Sequence, residues 1–308
     1  MITPSQLRML LQEHTYAKLP GTVLTLGRQM IAMTMETAIE VLQEYEIEVS
    51  PALRAHAASL VDDFTLESRR IMGGFAAISD HALFRLLGVE TVESMDISEA
   101  EGCSIVWDLN QPIPRELHGR WEFVLDGGTF DHLFDLKVGF ENVSNMLAPG
   151  GRLLQYNAAS NYTGAVYLAI GPDLFKDYFT LNRFADCKVY VVEGDDPGQA
   201  YDWDVFYYDD AVKREHPEFV PLFTSGRLQM TVVIAEKAVD STASEMPTQG
   251  VYCTRLPEKR AFFEEGLRRA SRSRRPLLKG RLRHTREPLP RPDWRTPAYR
   301  VFQPLGKI

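Results

Sequence analysis

Two carboxylates twelve residues apart carry the first chemical signal in this chain. Asp96, in Ser94-Met95-Asp96-Ile97, and Asp108, in Asp108-Leu109-Asn110, each follow a short apolar segment. A carboxylate at a strand end can accept both hydroxyl protons of a ribose. The Asp108 carboxylate can take an exocyclic adenine N–H, while the Leu109 N–H donates to a ring nitrogen. Ile97 flanks the first of these acids. Two further segments belong with them. Gly27, in Leu26-Gly27-Arg28-Gln29, lets backbone approach a ligand, and the following helix is expected to offer N–H groups. Asp126-Gly127-Gly128 leaves room for a ligand, and Asp131-His132 follows. His132 is the best-placed proton acceptor and Asp131 the second. Each position also has a plain structural role: a tight turn at Gly27, an Asx turn or helix cap at Asp96, a polar turn before Pro112 at Asp108, a helix cap at His132.

The elements that must position these residues follow from periodicity and punctuation. Residues 3–15, 34–46, 80–88, 135–147 and 171–178 read as helices, and Ser50-Pro51 starts another. Residues 23–27, 91–97, 104–107, 121–125, 152–158, 187–192 and 228–235 read as strands. Their alternation predicts an α/β fold with a parallel sheet covered on both faces. In such a sheet ligands bind at the carboxyl ends of the strands, where the four segments above fall. Residues 63–74 are polar and end in a glycine pair, the pattern of a loop. Residues 239–254 read as a linker, 258–272 as an amphipathic helix, and 273–308 as an extended Pro- and Arg-rich segment.

Taken together, the segments resemble the class I S-adenosylmethionine-dependent methyltransferase family over residues 20–238. The likeness is to bacterial methyltransferase-like proteins that read LGRQ, LDIS-x-x-EGA-x-I-x-DLN-x-P-x-P, FDGGTLEHVF and KPGG. Here those segments stand as LGRQ (26–29), MDISEAEGCSIVWDLNQPIP (95–114), LDGGTFDHLF (125–134) and APGG (148–151). The resemblance implies a Rossmann-like seven-stranded methyltransferase sheet with its last strand, 228–235, antiparallel. It implies S-adenosyl-L-methionine as cofactor, held by Gly27, Asp96, Asp108, Leu109 and Asp126, with Arg28, Ile97 and Gly127 beside them. The chain departs from the family at the first loop. Thr25 replaces the acidic residue at the end of the first strand, and Gln29 replaces the second glycine. Gly27 and Asp96 also stand much farther apart than the roughly 30 residues of a bare β-α-β unit. The excess, near 45–79, reads as a helical lid that excludes water, with His56, Arg69, Arg70 and His81 as substrate contacts. The same insert could instead pack, or pair two chains as a homodimer. The aromatic run Tyr201, Trp203, Phe206, Tyr207 and Tyr208 would wall an acceptor pocket, or fold on the sheet edge.

Composition narrows the setting. Three scattered cysteines suit neither a disulfide framework nor a zinc cluster, and a reducing cytoplasm is the expected compartment. The first residues lack a signal-peptide core, and no run of 18 apolar residues predicts a membrane span. No G-x-S-x-G, Walker A or H-E-x-x-H motif occurs. His132 and Asp135, with Asp131, offer a weak metal pattern, and no metal is expected. The net charge of −8 hides an asymmetry: residues 255–308 hold 16 Lys+Arg and 5 Asp+Glu, against 18 and 37 in residues 1–254. A basic C-terminal extension of this kind either neutralises its own acidic body or binds an anionic partner. The expected activity is methylation of an oxygen or nitrogen of a small-molecule or sugar acceptor. The alternatives are a catalytically silent module that binds a partner through its basic extension and, less favoured, an RNA methyltransferase.

Overall fold

The computed structural model describes residues 1–61, 77–194, 203–211, 213, 222–249, 252, 255–279 and 301–308. Helix starts are written in short side chains. Thr3 caps α1 (Pro4–Tyr16), Thr34 caps α2 (Met35–Gln43), Ser50 caps α3 (Pro51–Ala58), and Ser79 caps α4 (Asp80–Leu86). Each hydroxyl accepts from the backbone N–H three residues on, filling one donor that the first turn leaves open. Gln6 returns the contact in α1, its Oε1 accepting from Thr3 N at 2.8 Å, which closes a capping box. Proline at the first position of α1 and α3 costs no hydrogen bond there.

The strands are β1 (Thr22–Leu26), β2 (Thr91–Asp96), β3 (Ile105–Val106), β4 (Trp121–Asp126), β5 (Leu147–Ser160), β6 (Asp186–Gly194), β7 (Asp204–Tyr208), β8 (Leu228–Glu236) and β9 (Phe302–Lys307). They form one sheet in the order β3-β2-β1-β4-β5-β8-β6-β7-β9. β3, β2, β1, β4 and β5 are parallel, and β8 is antiparallel to both β5 and β6. The expected antiparallel strand is therefore present. The expected count of seven is not: β7 and β9 add an antiparallel ribbon beyond β6, giving nine strands. Within the Pro- and Arg-rich segment expected to be extended, residues 302–307 are so, paired as β9 with β7. β5 begins at Leu147, ahead of Pro149-Gly150-Gly151, and runs through it. The register against β4 jumps there from Trp121↔Leu147 to Phe123↔Arg152, and Gly150 takes φ +78°.

Strand parity divides the core in two. Val23, Phe123, Leu125, Leu154 and Val232 face one side, where Leu7, Leu10 and Leu11 of α1, Val41 and Leu42 of α2, and Leu83 and Leu86 of α4 cover them. Leu24, Val124, Leu153, Val189 and Val233 face the other, under α5 (Leu136–Met146) and α6 (Pro172–Leu181). Phe140 of α5 centres that side, with edge-on ring contacts to Phe130, Phe175 and Phe179 at 5.3–6.0 Å.

The basic extension folds back on the acidic body. Helix α7 (Pro257–Arg272) lies against α6 and buries Phe263. Its Arg269 takes the Asp240 carboxylate with two nitrogens, at 2.6 and 2.7 Å. Gly266 is where the two helices touch, since a Cβ there would lie 1.9 Å from Thr180 O. Gly266→Ala should therefore push α7 off α6 and cost about 1–3 kcal/mol, the range for overpacking. Thermal denaturation of the two proteins measures it.

Candidate functional site

Three strand ends meet around Gly27. Leaving β1, Gly27 takes φ +69° and donates its N–H to Met95 O at 2.7 Å. Thr129 Oγ1 donates to Leu26 O at 2.8 Å. A Cβ on Gly27 would lie 3.5 Å from Asp96 Oδ2 and 3.6 Å from Thr129 Oγ1, so the glycine keeps the space between β1, β2 and the turn after β4 open. A cavity of about 510 Å³ lies over these ends. Gly27, Arg28, Asp96, Ile97, Asp108, Leu109, Gly127 and His132 line it, with Met30, Trp107 and Asn110 among their neighbours.

The acids around this cavity differ in what they already hold. Asp108 Oδ1 accepts from Asn110 N and Asn110 Nδ2, both at 2.9 Å, which fixes its turn. Asn142 of α5 reaches under the same turn. Its Nδ2 donates to Leu109 O and Gln111 O, and its Oδ1 accepts from Ile113 N. Among the described residues nothing donates to Asp108 Oδ2 or to the Asp96 carboxylate, and nothing accepts the Leu109 N–H. Two acceptors and one donor therefore face one cavity uncommitted.

At the Gly27 loop the cavity is more crowded. Arg28 is buried and locked on Asp80 at the start of α4, with contacts of 2.7 and 2.9 Å, and Gln29 N donates to the same carboxylate at 2.9 Å. The ion pair ties the end of the insert to the first loop. Gln29 Nε2 donates back to Leu26 O and Gly27 O, and its buried Oε1 has no partner among the described residues. The Gln29 amide lies on Gly127, where a Cβ would come within 1.9 Å of Oε1. Gly127 is required there because Gln29 occupies the space.

Two of the candidate acids sit below the cavity and do not line it. Asp126 is wholly buried. It accepts from Gly128 N, Thr129 N, Phe130 N and Gln155 Nε2 at 3.0, 2.6, 3.4 and 2.9 Å. Burial pushes its carboxyl up, and these donors pull it back. Its place is under the turn that carries Gly127 and His132, with its oxygens already engaged. Asp131 lies in a single 3₁₀ turn, Phe130–His132. Its carboxylate accepts from Asn157 Nδ2 and Ala158 N, both at 2.9 Å, and its carbonyl from Tyr167 N and Leu168 N. Burial, with Asp126 nearby, raises it to about 7. His132, next in the chain, is exposed to the cavity, and its imidazole has no partner among the described residues. Gln155 and Asn157, polar residues inside a buried strand, are the functional neighbours that the sequence motifs did not mark.

No known family's sequence pattern matches the chain, and no curated protein sequence does. Solved structures do. The citrinin polyketide synthase CMeT domain is 15% identical over 79% of this chain and 52% of its own, with a TM-score of 0.37. The 1,6-didemethyltoxoflavin-N1-methyltransferase of Burkholderia thailandensis, solved with S-adenosylhomocysteine, is 11% identical over 76% of this chain and 79% of its own, with a TM-score of 0.30. Phosphoethanolamine N-methyltransferase 2 of Haemonchus contortus, solved with S-adenosyl-L-methionine, is 12% identical over 76% and 52%, with a TM-score of 0.37. The chain thus spans about half the length of the first and third. At these identities and scores the likeness carries no weight of its own, and the strand order and the cavity carry the argument.

Other expected contacts fall elsewhere. Trp203, Phe206, Tyr207 and Tyr208 belong to the β7 edge, with Trp203 and Tyr208 buried, and none lines the cavity. The aromatic run packs the sheet margin, which corrects its reading as an acceptor wall; Tyr201 lies outside the described residues. His56 is exposed on α3 and His81 half-buried on α4, and neither lines the cavity. Arg69, Arg70 and the 63–74 loop lie outside the described residues. Among those described, no three His, Cys, Asp or Glu residues converge as a metal site, and Asp135 caps α5 through Val138 N. No described helix is long and apolar enough to cross a membrane.

Asp131 gives the site a pH signature. Its folded value of about 7 exceeds the ordinary 3.8, so the native state holds that proton more tightly than the unfolded chain. The stabilisation is complete below 3.8 and is lost as pH rises to about 7, at about 1.4 kcal/mol per pH unit. Asp131→Asn should remove that slope. Asn157 Oδ1, buried and without a partner among the described residues, can accept from the new amide if Asn157 turns over. Urea unfolding of both proteins across pH 4–7 checks the prediction, and parallel curves would exclude Asp131 as the source.

Proposed function

We propose that this chain is an S-adenosylmethionine-dependent methyltransferase acting on an oxygen or nitrogen of a small-molecule or sugar acceptor. The uncommitted trio at one cavity carries the reading: the Asp96 carboxylate, Asp108 Oδ2 and the Leu109 N–H. A ribose diol needs two acceptors, and an adenine edge needs one acceptor beside one donor. They stand at and after strands β2 and β3, on the carboxyl side of the sheet, where an open α/β fold receives nucleosides. Gly27 leaves the floor between them clear, and Ile97, 65% exposed, offers an apolar face at the rim. The orphaned Gln29 Oε1 is an acceptor suited to the ammonium of the methionine end. The residues present therefore fit the cofactor. When bound, it supplies a methyl group already activated by its sulfonium.

The chain's own task is then to orient an acceptor and take its proton. His132 is the residue placed for it. It faces the cavity, and its backbone is held by the turn that Asp126 and Asp131 fix from beneath. Asp131 is the poorer proton acceptor because both its oxygens already hold donors.

One observation favours a second reading, a catalytically silent module of the same fold. Gln29 fills the space that a glycine would leave, and Arg28 is spent on Asp80 instead of facing a ligand carboxylate. Calorimetric titration with S-adenosylmethionine and S-adenosylhomocysteine separates the two. Measurable binding of both is expected, and absence of heat at high protein concentration would end the enzyme reading. Asp96→Ala should weaken binding by about 1.5–3 kcal/mol, the range for hydrogen bonds to a charged group. With an acceptor drawn from hydroxyl and amine libraries, His132→Ala should lose turnover while cofactor affinity stays constant; retained turnover excludes it as the base.

A further inference from the structure

The C-terminal extension carries a buried charge. Arg275, whose side chain is 1% exposed, reaches three acids from three elements: Glu13 of α1, Asp186 of β6 and Glu236 of β8. Its Nε lies 2.9 Å from Asp186 Oδ2, and its guanidinium covers the Tyr16 ring at 4.2 Å. Arg152 joins Glu13 from below, and Lys188 takes the other oxygen of Asp186 at 2.8 Å. Without Arg275, three acids would share this corner with two cations, and an unpaired buried carboxylate is costly. The segment then continues along α1. Leu278 is buried and its N–H donates to Tyr190 Oη at 3.2 Å, while Lys279 exchanges two hydrogen bonds with Gln12, at 2.6 and 3.1 Å. Ile308 holds the other end of the helix: its carbonyl accepts from Ser5 Oγ at 2.7 Å, and it pairs both ways with Trp203.

The residues that lead into α1 border the cavity, and Met1 lines it. Ile2, one turn before Ser5, donates to Met30 O at 2.7 Å and accepts from Ala32 N at 2.8 Å. Met30 lines the cavity beside Gln29. A continuous chain of contacts thus runs from Arg275 through Glu13 and α1 to Ile2 and the Met30 wall. We infer that Arg275 is a positioning residue for the cavity, and that the C-terminal extension is an internal clamp on α1 that sets ligand affinity at the Gly27 loop. The affinity part of this inference rests on the cofactor reading above.

The test uses the full chain with Arg275→Ala, Arg275→Lys and Gln12→Ala. The Gln12 variant removes the Lys279 contacts without leaving a buried charge, so it keeps the question open to refutation where Arg275→Ala fails to fold. Two readouts are taken at a temperature where circular dichroism shows each variant folded: S-adenosylhomocysteine affinity, and hydrogen exchange of the Ala32 amide relative to amides of β4. Arg275→Ala should raise the dissociation constant at least tenfold and speed Ala32 exchange while β4 stays protected. Arg275→Lys should recover part of both, and Gln12→Ala should shift both in the same direction by about threefold. Unchanged affinity and unchanged Ala32 exchange in a folded variant overturn the inference and leave the extension a purely structural brace. If the unaltered protein binds no S-adenosylhomocysteine, the cofactor reading fails separately. The Ala32 amide then decides the clamp alone, with unchanged exchange overturning it.

Discussion

One buried carboxylate, Asp126, organises the ground on which the cavity stands. It ends β4, between β1 and β5, and three successive N–H groups of the next turn converge on it, with Gln155 from β5 as the fourth donor. A carboxylate buried without partners would cost more than the fold could bear. Hydrogen bonds from neutral donors to a charged group contribute about 1.5–3 kcal/mol each, which makes a four-donor cradle the condition for keeping it. The cradle forces the chain to turn at Gly127 and Gly128, and that turn delivers Thr129 to Leu26 O and His132 to the cavity.

The second constraint is charge. The acidic body places Glu13, Asp186 and Glu236 close together on the α1 side of the sheet, and Arg152 and Lys188 cannot satisfy all three. The missing cation arrives from the extension, as Arg275. The asymmetry in composition is therefore met inside the molecule at this point, and again where Arg269 holds Asp240. This favours the self-neutralising role of the extension over an anionic partner for the described part of it. It also explains why the sheet does not stop at β6. Once the extension is anchored, its last residues are at hand to pair as β9 with β7, covering an edge that would otherwise be exposed.

Much of this was legible in the sequence because it is local. Ser50 caps the helix it precedes, as its place before Pro51 announced, since a cap needs only the next three residues. The parallel strands announced themselves as apolar runs bounded by Gly and Asp, and eight of the ten candidate site residues line one cavity. What escaped is non-local. β9 is an edge strand that pairs with β7 across a long stretch of chain, so the aromatic run at 203–208 carried no sign of this partner. The depth of an acid was equally hidden. Asp96 and Asp126 both end strands, but Asp126 is followed by a tight Gly-Gly-Thr turn whose amides fold back on it, while the chain after Asp96 leads outward to a short 3₁₀ turn at Glu99–Glu101. Gln155 and Asn157 stand in a buried strand because Asp126 and Asp131 need donors from the same face of the sheet.

The Gly27 loop is where these local and distant constraints meet, and Gln29 shows how. Its backbone N–H is held by Asp80, its Nε2 by the carbonyls of Leu26 and Gly27, and its carbonyl oxygen rests on Gly127 with no donor among the described residues. A buried amide oxygen left without a donor costs about 1–3 kcal/mol, a cost that persists in a fold only when something offsets it. The Arg28–Asp80 pair offsets it from the side of the insert by fixing the loop's path. A donor entering the cavity would remove it directly. The side chain that narrows this loop relative to the family pattern thus also supplies an acceptor that a wider loop with a second glycine would lack. In the proposed complex, recognition of the methionine end passes from an acidic residue in the first strand to the amide of Gln29, and Thr25, buried on the α1 side of β1, is released to pack.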